Sequence, residues 1–145
     1  MPNGIPTPAT DGPDGSARRT TISVDAMGGD RGPAAVVAGL SLSADRNPQV
    51  NFILHGDRTV LTPLLGKHSG LSDRVTVVHA DRVVTMSDKP AQVMRNGAGT
   101  SMWSTIESVK TGEAQAAVSC GNTGALTRGR RSGWYLPFYS PSAWC

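Results

Sequence analysis

The sequence predicts an α/β fold built on parallel strands, and three observations carry that prediction. Short apolar, β-prone runs at residues 21–24, 50–54 and 75–79 alternate with segments of helical spacing. A strand, a helix and a second strand in that order join parallel through a right-handed crossover. Two strands, the first and a fourth at residues 115–119, run directly into glycine-bearing turns. In an open parallel sheet, ligands sit in the crevice beyond the carboxyl ends of the strands.

Residues 1–19 are rich in Pro, Gly, Asp, Thr and Ser and hold almost nothing to bury, so a disordered extension is expected there. Residues 20–33 read TTISVDAMGGDRGP: a strand, a turn of a size to hold phosphate, and a helix start at Pro33. Gly28 and Gly29 have no Cβ, so their backbone can approach a bound anion closely, and the helix that follows aims its positive end at the same place. Residues 34–44 place Val36, Val37, Leu40 and Ala44 near helical spacing, and Asn47-Pro48 ends the pattern.

Residues 50–54 (VNFIL) form the second strand, ending at His55, Gly56 and Asp57. Residues 59–68 read as a helix made irregular by Pro63, and residues 75–79 (VTVVH) form the third strand. Asp88 is placed to cap a helix with Pro90 in its early turn. Lys89 beside it gains nothing from the helix dipole, which points to an outside partner. Residues 101–112 form a helix with Met102, Ile106 and Val109 on one side and Gly112 as its stop. The fourth strand then leads into Cys120-Gly121-Asn122-Thr123-Gly124, a second glycine turn that should open a helix.

A length of 145 residues with 38% apolar and 17% charged residues fits one soluble domain with one core. With no basic-then-apolar leader and no apolar run of about 18 residues, a cytoplasmic protein is expected. The net charge of +3 resides in Arg128, Arg130 and Arg131, so the body is neutral and no nucleic-acid footprint is read. Cys120 and Cys145 are too few for a disulfide framework, and Cys120 is expected to be a small buried hydrophobe rather than a thiol nucleophile. Neither the dinucleotide fingerprint nor a Gly-Lys-Ser/Thr phosphate loop occurs, so neither NAD nor ATP is supported and no cofactor is expected. Asp25, Asp30 and Asp88 are read as turn and cap residues, with no metal assigned. His55, His68 and His79 lack ligand spacing, and structural hydrogen bonds are expected of those at strand ends.

From Thr127 the character changes. Residues 127–145 hold five of the seven aromatic residues, Trp134, Tyr135, Phe138, Tyr139 and Trp144, without amphipathic period and interrupted by Pro137 and Pro141. The preferred expectation is a shifted reading frame or artificial end on the front part of a longer protein. The competing one is an aromatic tail for a membrane surface or a partner.

Three segments together carry a resemblance. SVDAMGGDRGP at residues 23–33, VVTMSDKPAQVMR at 83–95 with TSMW at 100–103, and AAVSCGNTGAL at 116–126 resemble, in order and spacing, the PlsX-type phosphate acyltransferases of bacterial phospholipid synthesis. The resemblance covers about residues 20–126 and implies a three-layer α/β/α sandwich with a mostly parallel sheet, similar to isopropylmalate dehydrogenases and incomplete in a chain of this length. It implies transfer of a long-chain acyl group from acyl carrier protein to orthophosphate, yielding acyl phosphate for a downstream glycerol-3-phosphate acyltransferase. A homodimer with peripheral membrane contact is implied as well.

For such chemistry the demands are to hold a dianion in line and to stabilise an oxyanion. Lys89 and Asn122 are the candidate catalytic groups, with Asp25 and Asp88 orienting them. Gly28, Gly29, Asp30, Thr123 and Gly124 are the candidate phosphate-binding residues. A phosphate acetyltransferase-like enzyme using acyl-CoA and a non-catalytic fragment are the alternatives. A half sheet with an uncovered edge predicts poor solubility and impaired activity.

Overall fold

β-branched and apolar residues at Ile22, Val24, Phe52, Leu54, Val75 and Val77 pack from neighbouring strands into one core in the computed structural model, which describes residues 19–85, 87–89 and 96–121. The elements are β1 (Thr20–Asp25), α1 (Gly32–Arg46), β2 (Val50–Gly56), α2 (Arg58–Leu65), a 3-10 turn (Ser69–Leu71), β3 (Val75–His79), α3 (Ser101–Lys110) and β4 (Ala116–Ser119). The sheet has four strands in the order β3-β2-β1-β4, every pair parallel. Because β2 and β3 lie on one side of β1 and β4 on the other, right-handed crossovers put α1 and α2 on one face and α3 on the opposite face. In agreement, α1 packs on α2, while α3 packs along β1, β2 and β4. The parallel sheet expected from the order of strands and helices, and the α/β/α layering implied by the resemblance, are therefore the observed architecture.

α1 starts at Gly32, earlier than its apolar spacing indicates, because Pro33 is tolerated in a first turn whose N–H groups have no partner inside the helix. Val37, Leu40 and Ala44 are buried as the spacing predicts. The helix stops where the Asn47 amide and the Asn47 side chain both donate to the Ser43 carbonyl, at 3.0 and 2.9 Å. Arg74 then ties this end to the sheet, donating to the carbonyls of Ala44 (2.7 Å), Asn47 and Val50.

α2 is shorter than residues 59–68. Asp57 caps it, accepting from the Thr59 hydroxyl and amide at 2.7 and 2.8 Å, bonds that hold the Asp57 carboxyl below its ordinary value. Pro63 lies inside the helix and removes a donor from its ladder, and the helix ends at Leu65.

The buried face of α3 differs from the expected Met102, Ile106 and Val109 side. The fully buried residues are Ser101, Met102, Thr105 and Ser108, with Ile106 and Val109 half-buried. The reason is a polar seam around His55, which β2 delivers beneath the helix. Ser23 Oγ donates to the Thr105 carbonyl at 2.9 Å and lies 2.8 Å from His55 Nε2. Ser108 Oγ donates to Glu113 Oε2 at 3.1 Å and lies 3.4 Å from the same nitrogen. Both hydroxyl protons are thus committed elsewhere, so Nε2 carries the hydrogen, and Nδ1 accepts from Ser104 Oγ at 2.7 Å.

Burial lowers the His55 pKa from 6.5 to about 4, against the opposing charges of Asp25 and Glu113. The folded state therefore favours neutral His55. Its contribution is complete above pH 6.5 and is lost as pH falls toward 4, at up to about 1.4 kcal/mol per pH unit. Urea unfolding is expected to show about 3 kcal/mol less stability at pH 4 than at pH 7 from this residue alone. A His55→Gln variant should lack that increment; an equal pH response in the variant would contradict the assignment.

Candidate functional site

The strand order turns at β1. Its neighbours β2 and β4 lead to opposite sides, and the crevice beyond the carboxyl ends of β1 and β4 is the switch point of this sheet. Asp25 and Ser119 close the two strands there as direct register partners.

Asp25 is only 2% exposed, and a buried carboxylate needs donors. Its Oδ1 accepts from the amides of Met27 and Gly28, both at 3.1 Å. Its Oδ2 accepts from the Ser119 hydroxyl at 2.9 Å, and Ser119 Oγ in turn accepts from the Gly121 amide at 3.1 Å. One carboxylate and one hydroxyl thereby fasten the turn after β1 to the turn after β4.

The glycines make this approach possible. A Cβ at Gly28 would stand 2.6 Å from Asp25 Oδ2 and 3.0 Å from both the Gly121 amide nitrogen and Ser119 Oγ. A Cβ at Gly121 would stand 3.2 Å from Gly28 Cα and from the Met102 methyl at the start of α3. Gly29 has φ +95° and lies against Cys120. Behind the turn, α1 begins at Gly32 with Arg31 in the cap position and no side chain capping its amides.

An apolar groove of about 300 Å³ runs from Asp25 and Cys120 between α1 and β4, past Val36, Leu40, Phe52 and Val118. Val118 is 47% exposed, and among the described residues β4 is an edge strand.

The structure brings Asp25, Gly28 and Gly29 together with the second glycine turn at Gly121; Asp30 is exposed beside them. The amide of Gly28 faces Asp25 and serves the clamp. Asn122, Thr123 and Gly124 lie outside the described residues. Asp88 is half-buried, and its Oδ2 accepts from the Thr85 amide at 2.7 Å, closing a turn, with Lys89 exposed next to it. The helix expected to open at Pro90 falls on residues 90–95, outside those described.

Asp88 lines a second cavity of about 320 Å³ with Arg82, Val84, Asn96 and Thr100, none of which lines the apolar groove. Cys120 is exposed, not buried as expected; among the described residues β4 is an edge strand and nothing covers its end. Ser119 is the residue missed in the sequence: a serine ending a strand gives no sign of its partner until the register of β1 and β4 is known. Among the described residues no helix is long and apolar enough to cross a membrane.

Similarity to known proteins places the chain in a family. The family model described as "Fatty acid synthesis protein" matches residues 20–130. The chain is 66% identical over 110 residues to the phosphate acyltransferase of Cereibacter sphaeroides, covering 76% of this chain and 30% of that protein. It is 63% identical over 110 residues to the phosphate acyltransferase of a Ruegeria species, covering 76% and 29%. Against that of Dinoroseobacter shibae it is 56% identical over 125 residues, covering 86% and 32%. The chain thus spans roughly 30% of the length of these relatives. The match runs from the first residue of β1 through both glycine turns and beyond, and on that ground the chain belongs to the fatty acid synthesis protein family, that of the phosphate acyltransferases it resembles.

Proposed function

We propose that the chain carries the phosphate-facing rim of an acyl-ACP:phosphate acyltransferase. The observation that supports this most is the clamping of two glycine turns to each other at the switch point through Asp25 and Ser119. In the proposed reaction an oxygen of orthophosphate attacks the thioester carbonyl carbon of a long-chain acyl carrier protein. The carbonyl oxygen becomes an oxyanion, the C–S bond breaks, and the thiolate leaves and takes up a proton. With the Gly28 amide committed to Asp25, the backbone amides of Gly29 and of the Asn122-Thr123-Gly124 segment are the proposed donors to phosphate or oxyanion.

The Asp25 carboxylate opposes a doubly negative guest, so the site needs a cation, and Lys89 is proposed to supply it. Asp25 and Asp88 act as positioning groups, each already accepting from backbone amides of its own turn. The acyl phosphate then serves a glycerol-3-phosphate acyltransferase, and the whole enzyme works as a cytoplasmic homodimer in peripheral contact with the membrane.

A second reading is a non-catalytic fragment, favoured by the roughly 30% share of the relatives that this chain spans. One assay separates the two: acyl-phosphate formation by this chain, and by the chain extended to the length of its relatives, with long-chain acyl carrier protein or acetyl-CoA as donor. The proposal expects product from the acyl carrier protein thioester in the extended protein. Lys89→Ala should reduce it at least about tenfold, the loss of one charge-assisted contact. Product from acetyl-CoA alone would contradict the proposal. So would an unchanged rate for Lys89→Ala, as far as Lys89 is concerned.

A further inference from the structure

We infer that Ser119 is the positioning residue that sets the second glycine turn against the first, and so governs how tightly the rim holds phosphate. This rests on the phosphate reading above. A hydroxyl has one hydrogen, and that of Ser119 goes to Asp25 Oδ2 at 2.9 Å, which leaves its oxygen to accept the Gly121 N–H at 3.1 Å. The two bonds run in series from the β1 carboxylate to the first glycine of the β4 turn. Asp25 and Ser119 are also register partners, so the two parallel strands hold the relay at fixed spacing.

Three alternatives to a hydroxyl fail for different reasons. Alanine offers neither bond. A longer amide would project toward Gly28, so close by that a Cβ added to that glycine would stand 3.0 Å from Ser119 Oγ. Cysteine is a poor acceptor for the amide. Without the hydroxyl the Gly121 amide loses its acceptor, Asp25 loses its donor from β4, and Gly121 is no longer registered to Gly28. The carboxylate and the Met27 and Gly28 amides remain bonded, so the first turn keeps its own shape. The effect is specific to the relation between the two turns.

The test compares the 145-residue chain with its Ser119→Ala and Ser119→Thr variants by amide hydrogen exchange and by titration with inorganic phosphate. In Ser119→Ala the Gly121 amide should exchange at least about tenfold faster while Leu54, in the middle of β2, keeps its protection. Phosphate affinity should fall at least about tenfold, through misplacement of the second turn rather than loss of a direct contact. Ser119→Thr keeps the hydroxyl and should restore both. Phosphate affinity of Ser119→Ala within twofold of the parent, or unchanged Gly121 exchange, would overturn the assignment. A parent chain with no saturable phosphate response would overturn the phosphate reading itself, and this inference with it, an outcome visible before any variant is examined.

Discussion

Asp25→Ala is expected to destabilise the chain by about 3–5 kcal/mol, since it strips a buried site of its acceptor and strands three donors at about 1–3 kcal/mol each, without full additivity. The donors are the amides of Met27 and Gly28 and the hydroxyl of Ser119. Against a typical domain stability of about 5–15 kcal/mol this is a large fraction. Asp25→Asn keeps one acceptor oxygen for the two amides but turns an NH₂ toward the Ser119 hydroxyl, so an intermediate loss is expected. Urea unfolding at pH 7 checks both, and a loss under about 1 kcal/mol for Asp25→Ala would mean that the clamp contributes little.

Gly28→Ala should be nearly as damaging for a different reason. The added methyl would sit 2.6 Å from Asp25 Oδ2, an atom held by Ser119 and therefore unable to swing aside. Relief requires the two turns to part, at about 1–3 kcal/mol for the overpacking, and with them goes the anion-facing geometry. Gly39→Ala is the matching control. Nothing lies within 4 Å of that Cβ position, which is inside α1, so the substitution should stabilise by about 0.5–1 kcal/mol through helix propensity. Equal thermal midpoints for the two variants would contradict the close-approach account of Gly28.

Period and punctuation make most of the fold legible in the sequence. Strands β2 and β3, the core positions Val37, Leu40 and Ala44, and the stop at Gly112 follow from apolar spacing and from turn residues. The buried face of α3 did not follow, because Ser101, Thr105 and Ser108 face inward to meet His55 and Ser23, and polar residues satisfying one another leave no hydrophobic period. Asp25 and Gly28 stood out as a pattern of residue types after a strand. Ser119 did not, since its role exists only through a register partner 94 residues away in sequence. The exposure of Cys120 was hidden for a similar reason: strand order decides which strand is an edge, and strand order is a long-range property.

The most direct check on the shared rim is an amide chemical-shift map of the chain titrated with inorganic phosphate at pH 7.5. Saturable shifts with one common dissociation constant are expected at Gly29, Gly121 and the first turn of α1. Shifts confined to Arg82, Asp88, Asn96 and Thr100 would place the anion in the second cavity instead and contradict a binding rim made by the two glycine turns.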